Sequence, residues 1–334
     1  MDLFRRFFSQ PGSKPPEKPA APETELEKET TPLIPPTQAA SREVDAAPVD
    51  TETNHAAPPS PGDGATRPLP PETVISSSNE HLRFGQSTDV GMVRNANQDS
   101  VFSLFTTSRS ADQRPDFGLF IVADGMGGHH DGEKASAMAA QVVASSITAN
   151  VCLPMLRGEN DADRMPVTEA MIAAVQKANA DIIARVPEGG TTLTAVAIIN
   201  DLAYIVHVGD SRIYLITKDG LEKITRDHSL VQRLVELDQI TPEEALNHNQ
   251  RNVLYRALGQ SENVEVDALT RRLPPKSKLL LCSDGLWNMV NEEEISEIVM
   301  KFDNPQEACD KLVALANTHG GTDNITAIVL QIPG

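Results

Sequence analysis

The chain has 334 residues, with 47 acidic against 29 basic side chains and a formal net charge of −18. So acidic a chain is a poor nucleic-acid binder, because phosphate backbones are neutralised by clustered Lys and Arg. Three scattered cysteines, Cys152, Cys282 and Cys309, form no CxxC or Cys/His spacing, which argues against zinc and fits a reducing compartment. Between Phe8 and Phe84 there is no Phe, Tyr or Trp, and this stretch carries fifteen of the 24 prolines. It lacks the apolar surface needed to offset the entropy of ordering. Residues 1–81 are therefore expected to be a disordered, Pro-rich acidic tail, and residues 82–334 one folded domain. Residues 1–80 carry 7 basic and 13 acidic side chains and the rest 22 and 34, so −12 of the charge lies on the domain side.

Met1–Gln10 is apolar and basic but lacks the core of a signal peptide, and no run of about 18 apolar residues predicts a transmembrane helix. Past Leu82 short strands and amphipathic helices alternate. Phe117-Gly-Leu-Phe-Ile-Val-Ala runs into Asp124-Gly125, and Thr192–Ile199 meets Asn200-Asp201 before Leu202–Val208, a hairpin signature. Arg212–Thr217 and Leu221–Ile224 flank a second one, Asp219-Gly220. Lys278–Cys282 stops at Ser283-Asp284-Gly285, and Asn324–Ile332 is the last strand-like run. Apolar spacings of three and four residues predict helices over 132–150, 167–186, 229–237, 292–301 and 305–319. Consecutive hairpins with separate helices point to an α+β fold of two antiparallel sheets flanked by helices.

Five aspartates share a setting. Asp124, Asp210 and Asp284 stand where a strongly apolar strand breaks into a glycine-rich or small-residue turn, Asp323 precedes such a strand, and Asp99 follows Asn97-Gln98. One Asp-Gly is an ordinary turn. Several at strand ends share one rim, where their charges repel unless a cation lies among them. With no His or Cys ligand spacing beside them, hard ions with oxygen ligands, Mg²⁺ or Mn²⁺, are the expected filling. Glycine after an aspartate lets the backbone carbonyl come close enough to serve as a further ligand. Two such ions about 3.5–4 Å apart acidify a shared water for attack on phosphorus.

In order and at fitting distances, Asp89-Val-Gly-Met-Val-Arg94-Asn-Ala-Asn97-Gln-Asp99, Asp124-Gly-Met-Gly-Gly128, Gly190-Thr-Thr192, Val208-Gly-Asp-Ser-Arg212, Thr225-Arg-Asp-His-Ser229, Ser283-Asp-Gly285 and Gly321-Thr-Asp-Asn324 resemble the motifs of the PPM (protein phosphatase 2C) family, its bacterial members above all. The resemblance implies a four-layer αββα sandwich and a metal-dependent protein phosphatase. Its reaction would be hydrolysis of phosphoserine and phosphothreonine by a metal-bridged hydroxide, reversing a cognate Ser/Thr kinase. Two central Mn²⁺ or Mg²⁺ ions, with a third at some sites, would be held by Asp99, Asp124, Gly125, Asp210, Asp284 and Asp323. By the same resemblance Arg94 would clamp the substrate phosphate, with Asp99 and Asp124 as its catalytic partners. A monomeric cytoplasmic enzyme acting on phosphoproteins is the expectation.

Two positions depart from the family pattern: Gln98 where many members carry Glu, and Met126 where many eukaryotic members carry His. Met126 leaves the leaving oxygen without a side-chain proton donor. His129, His130, His207 and His228 are read as solvated or structural. Segment 225–259 corresponds to a family insertion beside the active site, with 247–251 as the mobile part and the Leu/Val face of 230–237 as packing. Thr30-Thr31 in its acidic setting is read as spacer rather than docking signal. A binding module on the same fold and a nuclease are rival readings; the intact aspartate set and the lack of a basic face disfavour them.

Overall fold

Strand β3 (Phe117–Met126) has both faces apolar. Phe117, Leu119, Ile121 and Ala123 pack on one side, Phe120 and Val122 on the other. A strand buried so completely needs a layer on each face. A computed structural model of the chain, which describes residues 81–107, 115–128, 130–159 and 164–334, supplies those layers. The expectations for residues 1–80, including Met1–Gln10 and Thr30-Thr31, and for His129 lie outside the described residues.

One sheet runs β2 (Asp99–Thr106), β3, β5 (Leu193–Ile199), β6 (Leu202–Val208), β9 (Asp267–Arg272), with β4 (Gly190–Thr191) pairing the end of β3. The other runs β1 (Arg83–Asp89), β11 (Ile325–Gln331), β10 (Lys278–Cys282), β7 (Arg212–Thr217), β8 (Gly220–Lys223). Every pairing is antiparallel. The expected hairpins are present: β5–β6 turn at Asn200, which takes φ +55°, and β7–β8 turn at Asp219-Gly220.

Period-two alternation sorts the side chains into three cores. Between the sheets lie Phe120, Val122, Ile205, Ile213, Leu281 and Ile328. Outside the first sheet, helices α1 (Asp131–Ile147) and α3 (Val167–Arg185) cover Leu119, Ile121, Ala195 and Val206. Outside the second, α7 (Glu292–Lys301) and α8 (Pro305–Thr318) cover Tyr214, Leu280, Ala327 and Val329. The architecture is the expected αββα sandwich. Among the described residues one helical run, Asp131–Arg157, is long and apolar enough by composition to cross a membrane. Its Ala135, Ala139, Val143 and Ile147 are instead buried in the sandwich core. That run passes from α1 through a π-helical turn (Thr148–Cys152) into α2 (Leu153–Arg157), so the predicted 132–150 helix runs on to Arg157.

The segment between β8 and β9 carries the short helices α4 (Leu230–Glu236) and α5 (Pro242–Leu246). No residue of α4 is fully buried, so its Leu/Val face packs less than its periodicity suggested. A seven-residue helix lying at a rim has a partner on part of one face only.

Candidate metal centre and active-site cleft

The two sheets both deliver acids to the same rim. Asp99 and Asp124 are direct cross-strand partners in the β2–β3 ladder. Their side chains therefore leave the same face, where like charges oppose pairing. In the second sheet Cys282 pairs with Arg212, and the acids just past those two strand ends, Asp284 and Asp210, lie near enough to repel each other. Asp323 stands just before β11, which runs beside β10. Asp284 itself opens a short helical turn, α6 (Asp284–Trp287), directly after β10.

Supporting hydrogen bonds hold Asp124, Asp99 and the Asp210 backbone. The Asp124 amide donates to Thr192 Oγ1 (2.9 Å), while the Asp124 carbonyl accepts from the Thr192 amide (2.8 Å) and the Thr191 hydroxyl (2.9 Å). Ser283 Oγ donates to Asp99 Oδ2 at 2.7 Å. Asn324 ties the loop before β2 to the start of β11: its amide nitrogen reaches the Val90 and Ala96 carbonyls and its oxygen accepts from the Gln98 amide. Trp287 Nε1 donates to the Asp210 carbonyl at 3.1 Å, and the same indole lies 3.6 Å under the Arg212 guanidinium. Arg212 in turn grips Asp227 through two nitrogens, with a shortest contact of 2.7 Å. Gly125 is obligatory: a Cβ there would lie 2.2 Å from the Gly132 carbonyl oxygen and 2.6 Å from that of Gln98.

The electrostatics show what the rim lacks. Burial pushes Asp99 up to about 6 and Asp210 up to about 7. Asp124 and Asp284 are raised well above the usual carboxylate range, by burial first and then by repulsion from the other acids of the set. Asp99 Oδ1 is buried without a close hydrogen-bond partner. Four carboxylates paying for burial and one orphaned oxygen are what a cation would relieve. Among the described residues no three Asp, Glu, His or Cys close into a ready-made chelate. Hard divalent ions that keep several waters do not need such an all-protein cage. The residues present thus fit Mg²⁺ or Mn²⁺.

Beside the acids opens a cleft of about 650 Å³, lined by Arg94, Asp124, Gly125, Asp210, Asp284 and Asp323. Asp99 is not among its lining residues and supports the set through Ser283. Arg94 is half exposed and its Nη2 lies 2.7 Å from Asp323 Oδ2, so one guanidinium already answers part of the negative charge. Gln98 and Met126, the two departures from the family pattern, also line the cleft. His130 is exposed beside Glu133, at 3.3 Å. His207 is buried between the Thr194 hydroxyl and the Arg226 carbonyl, which makes it structural as expected.

Residues 94–317 match the Protein phosphatase 2C family. The chain belongs to that family. It is 36% identical over 259 residues to the serine/threonine phosphatase stp of Listeria innocua, a match spanning 75% of this chain and 95% of that protein. The crystal structure of the Mycobacterium tuberculosis serine/threonine phosphatase PstP/Ppp superimposes with a TM-score of 0.63 at 34% identity, covering 76% of this chain and 99% of the other. A similar structure, the PstP catalytic domain in complex with 2 manganese ions, gives a TM-score of 0.61 at 34% identity and covers 76% and 99%. The protein is a serine/threonine protein phosphatase with the family's α+β fold.

Within this phosphatase one wall of the cleft comes from the segment 225–259, as expected, but from a different part of it than 247–251. Asn252, Leu254, Tyr255, Arg256 and Ala257 line it, whereas residues 247–251, the expected mobile part, are not among the lining residues. Tyr255 and Arg256 carry no spacing signal, because their contacts, to His228, Glu265 and Asp267, are made across a loop. Ser283, Trp287 and Asn324 also went unassigned. Each acts through partners dozens of residues away, a relation that a single sequence does not encode.

Proposed function

We propose that this phosphatase hydrolyses phosphoserine and phosphothreonine esters of proteins with Mn²⁺ or Mg²⁺ held by Asp124, the Gly125 carbonyl, Asp284, Asp323 and, more remotely, Asp99. Two central ions are proposed, and Asp210 with Asp284 marks a third position. The manganese bound in the PstP catalytic domain supports this reading, and the observation that carries it is the raised, partly orphaned carboxylate set facing one cleft. Bound there, such ions neutralise phosphate charge and acidify water to the point of attack near neutral pH.

The chain's own residues do the rest. Arg94, paired with Asp323, would be free to face the substrate if that carboxylate held a cation. Its planar fork then holds two phosphate oxygens and orients the ester. Thr192 and Thr191 keep Asp124 in place, and Ser283 does the same for Asp99. No side chain takes the phosphoryl group in this scheme, so no phosphoenzyme forms. Residues 82–334 form the catalytic domain and residues 1–81 a spacer; the enzyme is a cytoplasmic monomer that opposes a Ser/Thr kinase.

The test is hydrolysis of p-nitrophenyl phosphate by chelator-stripped protein with and without added Mn²⁺. Activity should return with Mn²⁺ and be abolished in Asp124→Asn and Asp284→Asn, whose circular dichroism stays that of the wild type. Full activity in either variant, or in excess chelator, overturns the assignment.

A further inference from the structure

His228 is buried at 1% exposure in the loop between β8 and α4 and takes no part in the scheme above. It is bonded on two sides to different parts of the cleft. On one side it clamps Gly209, the residue before Asp210: the His228 amide donates to the Gly209 carbonyl (2.8 Å), and the Gly209 amide donates to His228 Nδ1 (3.0 Å). Gly209 sits at φ +112°, where a Cβ would come within 2.5 Å of Thr192. The turn that aims Asp210 is therefore pressed onto the threonine that also holds Asp124. On the other side the His228 carbonyl accepts from the Tyr255 amide (2.9 Å), and the two rings lie 5.7 Å apart.

The tautomer follows from these partners. Burial lowers the pKa of His228 and keeps the ring neutral, with a single N–H. Nδ1 accepts from Gly209, so the proton is on Nε2 and points at Asp267 Oδ2, 3.2 Å away. Arg256 Nη1, 3.1 Å from Nε2, also carries only hydrogens and likewise points at Asp267, at 2.7 Å. One imidazole thus joins the Asp210 turn to Tyr255 and Arg256 of the cleft wall.

We infer that His228 is a positioning residue that fixes Asp210 for cation binding and couples it to the wall where the phosphoprotein chain lies. This rests on the proposed reading of Asp210 as a ligand. Asparagine and glutamine separate the two bonds. Asparagine sets its amide oxygen where Nδ1 stands and ends short of Asp267, whereas glutamine reaches toward Asp267 and offers nothing at the δ position. The experiment is Mn²⁺ titration calorimetry of wild type, His228→Asn and His228→Gln. Melting curves, and kinetics on p-nitrophenyl phosphate and a phosphothreonine peptide, accompany it.

His228→Gln should weaken the Mn²⁺ binding by roughly 10-fold or more, as loss of an outer-shell partner does, while His228→Asn stays within about 3-fold. The Asn variant, having let go of Asp267, should raise KM for the peptide more than for the small ester. Equal Mn²⁺ losses in two variants of similar melting temperature show a merely structural role and overturn the inference. Wild-type Mn²⁺ affinity in His228→Gln overturns it as well. A wild-type protein that takes up no Mn²⁺ overturns the proposed function, and this inference with it.

Discussion

Arg94 and Asp323 form an ion pair that is half open to solvent. Exposed pairs of this kind contribute little to stability, about 0–1 kcal/mol, so the arginine is held loosely enough to change partner. Its value lies in geometry: a guanidinium offers two parallel N–H donors to a phosphate, and a lysine offers one point charge. Arg94→Lys should accordingly keep the fold and the Mn²⁺ affinity while kcat/KM for p-nitrophenyl phosphate falls by roughly 10- to 100-fold, a loss of about 1.4–2.8 kcal/mol of transition-state binding. Steady-state kinetics at saturating Mn²⁺ check it, and a lysine variant as fast as the wild type would show that Arg94 does not touch the phosphate.

At the scale of elements, the site depends on β3 running past its sheet into the start of α1. Gly125 lies against the Gly132 carbonyl, so a methyl group there forces strand and helix apart. Gly125→Ala keeps the carbonyl yet should cost about 1–3 kcal/mol, the usual range for overpacking, and weaken Mn²⁺ binding because the carbonyl moves; urea melts and Mn²⁺ titration measure the two effects. The same elements show what could be read from the chain alone. β3, β5 and β7 were legible because unbroken apolar runs lead into Asn-Asp or Asp-Gly, and α7 because its apolar residues recur at three and four; its Asn291–Glu294 capping box fixes the start. The pairing of Asp99 with Asp124 was not, since register between β2 and β3 is fixed by packing and no turn motif joins them. Nor was α4, whose apolar repeat reads as a packed face although the helix lies half-buried at the rim. Arg94, Asp124 and Asp284 were legible through motif order, whereas Tyr255 and Arg256 became part of the site only when the loop carrying them folded against His228 and Asp267.

For the molecule as a whole, one expectation concerns the need for residues 1–80 and one concerns stability. Removing residues 1–80 should leave turnover of p-nitrophenyl phosphate unchanged, because the strands, helices and cleft described here are built from residue 83 onward; a large loss would overturn the spacer reading. The second concerns stability against pH. Asp99 and Asp210 titrate near 6 and 7 in the folded chain, above the roughly 3.9 of an unfolded aspartate. Between those values the folded state binds more protons than the unfolded one, so the metal-free protein loses stability as pH rises toward 7. His207 acts in the opposite direction: burial lowers it to about 4, below the roughly 6.5 of a free imidazole, so its contribution is complete above 6.5 and is lost as pH falls from 6.5 to 4. The two trends oppose each other in acid and leave the carboxylates alone to act above pH 6.5. A cation that replaces protons on these acids should therefore bind and stabilise more at pH 8 than at pH 6. At Mn²⁺ about 100 times its dissociation constant the gain is about 2.7 kcal/mol, which for a domain of this size raises Tm by roughly 5–10 °C. Calorimetric melts of chelator-stripped protein with and without Mn²⁺ at the two pH values test it. A shift that is equal at both, or that survives unchanged in Asp124→Asn, would mean that Mn²⁺ binds away from the acids of the rim.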